Sequence, residues 1–277
     1  MRTEIFIVTH GPDAQWLHHC LLSIVRFCSG FERVVVVYPE RDDAILRQTC
    51  EALDAIAAPW DEPPPPLGHL AQNLAKCLAD RWCPMASHVL HVDSDCVFTG
   101  PATPDTYMQG DRPLLLRRAW ANAAEGHVQK GADSTVWREP TASALGWDPP
   151  WETMVRSPQL YDARLYPAVR RHVSDLHGMD FDKYVLGCKP TFPYGFCEHN
   201  TLGAYALEWM ADRFTVLTVP PWEPVPSPQM RQLWTHDDLT AETRAWIDET
   251  LSAGRELRPP PPPGPMTARR ARMLGME

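Results

Sequence analysis

The sequence predicts an α/β protein, a mostly parallel sheet covered on both faces by helices, and three observations lead there. Two short runs rich in β-branched residues, Ile5-Phe6-Ile7-Val8-Thr9 and Val34-Val35-Val36-Val37-Tyr38, are apolar without alternation. Such runs fit strands buried on both faces. Each is followed by a segment whose apolar residues recur at helical spacing, and parallel neighbours need crossover helices of this kind. A chain of 277 residues is long enough for one domain with a full core.

The elements follow in order. Gly11-Pro12-Asp13 starts a first helix, with Asp13 as its cap, Leu17, Leu21, Ile24, Val25 and Cys28 as its apolar positions, and Gly30 closing it. After the second strand, residues 42–57 read as a helix with Ile45, Leu46, Leu53 and Ile56 on one face. Four prolines, Pro63 to Pro66, then separate it from a third helix over 68–82. That helix turns Leu70, Leu74, Cys77 and Leu78 inward and places Gln72, Asn73 and Lys76 elsewhere. It leads into a strand that ends at Asp93. Leu114-Leu115-Leu116 is a further short strand, whereas residues 120–151 lose periodicity and spread Trp120, Trp137, Trp147 and Trp151 among Gly, Ala and Pro. A segment of that kind is a functional loop or a disordered insert; the tryptophans favour a loop that packs on something, with core packing expected for at least half of them. An extended piece over 155–161, interrupted by Pro158, precedes helices over 162–176 and 198–210, a strand over 214–219 and a last helix over 240–251. The pattern is that of a Rossmann-like sheet, and residues 1–254 are expected to form a single domain. The Pro- and Arg-rich residues 255–277 are expected to be a flexible tail.

Composition narrows the function. The net charge of −9 argues against broad attraction to nucleic acid or an anionic membrane, although the tail carries five arginines against two glutamates. No run approaches the roughly 20 apolar residues of a membrane span, and Glu4 interrupts the start before a signal-peptide core could form. The eight cysteines include no Cys-x-x-Cys pair, which predicts reduced thiols in a cytoplasmic protein and no zinc centre. The 29 prolines, about twice the usual share of about 5%, mark stiff connectors.

The chemistry centres on Ser87-His88-Val89-Leu90-His91-Val92-Asp93-Ser94-Asp95-Cys96-Val97-Phe98. An apolar run delivers Asp93 and Asp95 to the end of a strand, where residues i and i+2 share a face. Two carboxylates about 4 Å apart repel by roughly 4 kcal/mol at an effective dielectric near 20, so the pair calls for a shared proton or a cation. A hard divalent ion with positions open to phosphate oxygens meets that need. In open parallel sheets ligands sit beyond the carboxyl ends of strands, which groups Thr9, the loop after Tyr38 and the aspartate pair around one crevice. A second copy, Asp180-Phe181-Asp182, lacks the preceding strand and reads as a surface turn. Gly-x-Gly-x-x-Gly, Gly-x-x-x-x-Gly-Lys and Gly-x-Ser-x-Gly are all absent, so a diphosphate would have to be held through metal and side chains.

Together the strands Ile5–Thr9 and Val34–Tyr38, the helix carrying Gln72 and Lys76, and Val89-Leu90-His91-Val92-Asp93-Ser94-Asp95 resemble the nucleotide-binding half of GT-A glycosyltransferases. In that family the Asp-x-Asp ends the fourth strand and holds Mn²⁺ or Mg²⁺ on the diphosphate of a sugar nucleotide. The resemblance implies a metal-dependent transfer of a sugar from a donor, with a UDP-sugar expected, to an acceptor hydroxyl of a glycan, a metabolite, a protein or a hydroxymethylated DNA base. It divides the domain into a donor half, residues 1–118, and an acceptor half, residues 119–254. It implies metal ligation by Asp93, Asp95 and His236, the last through the similarity of Trp234-Thr235-His236 to a late metal- or diphosphate-binding histidine. Thr9, Gln72, Lys76 and Ser94 would join the aspartates around the nucleotide. Glu198, in Glu198-His199-Asn200, resembles the acid that faces the acceptor, and it would act as general base in an inverting reaction. As residues alone, Lys76 reads as a solvated helix lysine, Glu198 as a first-turn acid at a helix N-terminus, and His236 as a surface or packing histidine.

Two other classes fit parts of the pattern. The run into Asp93-Ser94-Asp95 also matches the first motif of haloacid-dehalogenase-like phosphatases, with Asp93 as nucleophile. That class puts its motif near the domain start, whereas two strand–helix units precede it here, and Asp237-Asp238 does not follow an apolar strand. A nucleotide- or glycan-binding module without catalysis is the third expectation.

Overall fold

The computed structural model describes residues 1–61, 68–120, 134–155, 157–190, 195–220, 229–233, 239–256 and 258–260. In chain order the elements are β1 (Thr3–Val8), α1 (Ala14–Phe27), β2 (Val34–Pro39), α2 (Asp43–Ala52), β3 (Ile56–Trp60), α3 (Gly68–Cys77), α4 (Ala79–Trp82) and β4 (His88–His91). They continue with β5 (Cys96–Phe98), β6 (Met108–Gln109), β7 (Arg112–Arg117), α5 (Arg138–Leu145), β8 (Gln159–Asp162), α6 (Leu165–His177) and α7 (Phe181–Gly187). The last are α8 (Glu198–Trp209), β9 (Thr215–Thr218), β10 (Met230–Gln232) and α9 (Ala241–Ala253).

The main sheet has the order β3-β2-β1-β4-β8. Its first four strands run parallel and β8 closes the edge antiparallel to β4. This is the mostly parallel α/β sheet expected from the sequence. Alternate residues of each strand feed two separate cores, as the two-residue period requires. Ile5, Ile7, Val36 and Tyr38 pack with Leu17, Leu21 and Leu46 of α1 and α2. Phe6, Val8, Val35 and Val37 pack on the other face with Leu70, Leu74, Val169 and Leu202 of α3, α6 and α8. Two small sheets complete the fold, β5 against β10 and β6-β7-β9. Among the described residues no helix is long and apolar enough to cross a membrane.

Several expectations change. The helix placed over 42–57 ends at Ala52, the chain turns through Asp54 at φ 55°, and Ile56–Trp60 becomes the edge strand β3. Pro59 is tolerated because an edge strand leaves one side unpaired. The helix placed over 68–82 divides at Leu78 into α3 and α4. Asp180 and Asp182 lie at the start of α7 rather than in a free turn. The aperiodic stretch 120–151 contains α5, and residues 121–133 fall outside the described ones. Its tryptophans are put to packing: Trp147 stands edge-on to Trp209 with ring centroids 4.3 Å apart, Trp151 lies beneath Arg117, and Trp120 donates to the Pro149 carbonyl. The beginning of the tail is anchored, since Glu256 accepts from Arg231 and the Arg258 carbonyl accepts from Trp246 Nε1 at 2.9 Å.

Candidate functional site

The strand order places the crevice. From β1 the chain steps outward to β2 and β3, then returns so that β4 pairs on the other side of β1, and such a reversal opens a cleft at the carboxyl ends of the two strands. Thr9 leaves the end of β1, with its N–H on the Val37 carbonyl at 3.0 Å. It is buried, and its Oγ1 has no partner in the structure. A buried hydroxyl left unpaired costs about 1–3 kcal/mol. Beside it the Gly11 N–H donates to Asp42 Oδ2 at 2.8 Å, and a Cβ at Gly11 would stand 2.8 Å from Asp42 Oδ1. Glycine thus lets the loops after β1 and β2 close on each other.

Asp93 and Asp95 lie two residues apart just beyond β4, in a turn closed by the Cys96 N–H on the Asp93 carbonyl, with Ser94 buried between them. The chain then forms β5, which pairs with β10 so that Gln232 lies opposite Cys96 and the Leu233 N–H bonds the Asp95 carbonyl at 3.1 Å. That register brings the Gln232 amide nitrogen 3.1 Å from Asp93 Oδ2 and 3.4 Å from Asp95 Oδ1. The two carboxylates therefore converge on one point. Gln232 was missed in the sequence, where a three-residue strand leaves no periodic signal. His236, expected as a metal ligand, lies outside the described residues, a few positions past Leu233.

Lys76 is the largest correction. It is buried, 7% exposed in its side chain, and its ammonium bridges Asp93 Oδ1 at 2.8 Å and Glu198 Oε1 at 2.9 Å. The cation demanded by the repelling aspartates is thus supplied in part by the protein itself. Gln72, half-buried one helical turn earlier on α3, shares the Lys76 side of the helix. Glu198 opens α8, and its position is built from two sides. Asn73 donates to the Phe196 carbonyl at 2.7 Å, while at Gly195 a Cβ would come within 2.2 Å of the Lys189 carbonyl, so only glycine lets the chain pass there. From the other side Asn200 Oδ1 accepts the N–H groups of Thr153 and Met154 at 2.7 and 3.0 Å.

Burial opposes ionisation at this cluster, and charge pairing overrides it. Burial pushes Asp93 upward, but Lys76, then His199, and the bonds from Lys76 and Gln232 hold it below the usual carboxylate range. Glu198 is likewise pushed up by burial and carried below its ordinary value by Lys76 and His199. Lys76 loses basicity through burial and regains more from Asp93 and Glu198, so it stays charged. His199 lies with Nε2 3.5 Å from Glu198 Oε1 and Nδ1 3.2 Å from the Tyr161 hydroxyl, and burial holds it below the ordinary histidine value.

The donor set suits a divalent ion of the Mg²⁺ or Mn²⁺ kind. Two carboxylate oxygens, Asp93 Oδ2 and Asp95 Oδ1, already point at a common donor, and such ions take one or two carboxylates and fill the remaining positions with water and phosphate oxygens. Among the described residues no three His, Cys, Asp or Glu side chains gather closely enough to form a complete cage. Lys76 is shared between Asp93 and Glu198, so one ammonium answers two carboxylates at this side of the cluster.

No protein-family model matches the chain. A cysteine–tRNA ligase from Afipia carboxidovorans is similar at 25% identity over 143 residues, which make up 51% of this chain and 30% of that protein. The chain therefore aligns with less than a third of that relative's length. Likeness of this extent leaves function to be argued from the site.

Proposed function

We propose that the chain is a metal-dependent GT-A glycosyltransferase that moves a sugar from a nucleotide sugar, a UDP-sugar first among candidates, to an acceptor hydroxyl. One observation carries this reading: Asp93 and Asp95 leave β4 at the point where the strand order reverses, converge on a single position, and are joined through Lys76 to Glu198. Thr9, with its unpaired hydroxyl, and the Gly11–Asp42 loops would receive the nucleoside. Asp93 and Asp95 would hold Mn²⁺ or Mg²⁺, with His236 as a further candidate ligand; the bound ion would offset the charge growing on the departing diphosphate. Lys76 favours the ionised forms of Asp93 and Glu198 and adds positive charge beside them. Glu198 would accept the proton of the acceptor hydroxyl in an inverting reaction.

The likeness to a cysteine–tRNA ligase favours a second reading, in which the chain takes part in joining cysteine to tRNA. The net charge of −9 weighs against it, because polyanion binding needs compensating cations. In a phosphatase Asp93 would be the nucleophile of a motif that opens the domain, whereas β1, β2 and β3 with their helices precede it here.

A thermal-shift panel of sugar nucleotides and UDP, with and without Mn²⁺, separates these readings. Ligand at about 100 times its Kd stabilises by about 2.7 kcal/mol, a Tm rise of roughly 5 °C for a chain of this size. The rise is expected only with Mn²⁺ present. A panel in which no sugar nucleotide shifts Tm while cysteine or tRNA does would transfer the assignment to the ligase-like reading. Mn²⁺-dependent UDP binding without transfer to any acceptor would make the chain a binding module.

A further inference from the structure

The hydrogen bonds behind Glu198 fix where its neighbour carries a proton. Gln159 gives its amide nitrogen to the Thr153 carbonyl at 3.3 Å, which turns its Oε1 toward Tyr161. An amide oxygen only accepts, so Tyr161 donates its hydroxyl hydrogen to it. The Tyr161 oxygen is then an acceptor for His199 Nδ1, 3.2 Å away, and Nδ1 bears the imidazole hydrogen. In a neutral ring the other nitrogen is bare. That nitrogen, Nε2, faces Glu198 Oε1 at 3.5 Å, so two acceptors meet with no proton between them.

We infer that Glu198 and His199 act as one proton acceptor, in which Glu198 removes the proton of the acceptor hydroxyl and His199 Nε2 receives it. This rests on the reading of Glu198 as general base. The hydroxyl O–H bond breaks and its electron pair forms the bond to the donor's anomeric carbon, as that carbon's bond to the diphosphate oxygen breaks. The proton ends on Nε2. A proton kept on Glu198 would strip the buried Lys76 of one of its two carboxylates. Moved to Nε2, it gives an imidazolium with both N–H groups bonded, one to Glu198 and one to Tyr161. The groups around the ring are Tyr161 of β8, stacked at 6.2 Å, His91 of β4 at 5.9 Å, Lys76 of α3, Asp93 beyond β4, and Glu198 on its own helix. Burial, aided by Lys76 and opposed by Glu198 and Asp93, holds the ring below the ordinary histidine value, which favours the neutral form able to receive a proton. His199 acts through Glu198 and is a positioning residue.

Two measurements on the full chain decide it. Histidine ¹⁵N NMR at pH 7, with His199 assigned from the spectrum of His199→Asn, should show Nδ1 protonated and Nε2 bare, a bias that Tyr161→Phe removes. An Nε2–H tautomer or a doubly protonated ring overturns the inference. In transfer assays with a UDP-sugar and Mn²⁺, His199→Asn keeps a donor near Tyr161, so Mn²⁺-dependent UDP binding should persist. Its kcat should fall by at least about tenfold, part of the roughly 10²–10⁴-fold that a general base supplies, and the acidic limb of the pH profile should move. An active wild type with an unchanged His199→Asn profile overturns the relay alone. A wild type that binds no sugar nucleotide overturns glycosyl transfer and the relay with it.

Discussion

The chain writes Asp-x-Asp twice, and the two copies have different fates. Asp93 and Asp95 follow a strand buried on both faces, at the reversal of strand order, and Asp93 is locked between Lys76 and Gln232. Asp180 and Asp182 start a short helix at the surface, with 77% and 43% of their side chains exposed. Their partners are Lys183 at 3.2 Å and Arg81 at 3.7 Å. Letters are shared, but surroundings set the energetics. Beside a low-dielectric core a carboxylate must be paired, and that pairing organises a site. In water the same group is screened and its ion pair is worth about 0–1 kcal/mol.

Substitutions should separate the copies most strongly in ligand binding. Asp93→Ala and Asp95→Ala are each expected to weaken Mn²⁺-dependent UDP binding by more than about a hundredfold, since even outer partners of metal ligands are worth about 10–100-fold. Calorimetric titration reads this, and undiminished affinity in either variant would remove the aspartates from the site. Lys76→Met comes next, because it leaves Asp93 and Glu198 without their cation. Breaking a buried pair from one side costs about 3–5 kcal/mol. Asp93 retains 23% side-chain exposure, which reduces the expected loss to about 2–4 kcal/mol in chemical denaturation. Mn²⁺ should return part of it by taking over the charge. A loss below about 1 kcal/mol would mean that solvent already neutralises the pair.

The pH dependence of stability follows from the same cluster and is smaller per group. His91 and His199 are held below their ordinary value, first by burial, so the unfolded chain binds protons near pH 6.5 that the folded one refuses. Asp93 and Glu198 are held low by Lys76, so their contribution is present above the ordinary carboxylate range and is lost as pH falls through the depressed folded values. Both signs agree. Tm should decline as pH drops from 7 to 5 and fall further below about 4.5. A Tm maximum near pH 5 would contradict this assignment of charges.

What the sequence made legible was whatever a continuous run announces. β1, β2 and the strand leading to Asp93 are uninterrupted apolar stretches, and they placed the aspartate pair correctly at a strand end. By pattern Ile56 and Ala57 continue the preceding helix, and Ala58-Pro59-Trp60 do not announce a strand, because alanines carry little strand signal and Pro59 argues against a central strand. Pairing with β2 at the sheet edge decided it. With β3 in place, the strand before Asp93 is the fourth in the chain. Lys76 was misread for a different reason: a lysine on a helix looks solvated until distant partners are known, and Glu198 lies 122 residues away. Gln232 carried no local signal, since its role comes only from the register of β10 against β5.

The smallest effect is expected at the second copy, and it tests the contrast most directly. Asp180→Ala and Asp182→Ala remove exposed ion pairs with Lys183 and Arg81, so each should change stability by less than about 1 kcal/mol. Asp180 precedes α7 without a side-chain capping bond, so no cap is lost with it. Mn²⁺-dependent UDP binding should be that of the wild type in both variants, measured by the same titration. A marked loss would show that the surface pair handles the ion, and strand context would then no longer separate the two copies of the motif.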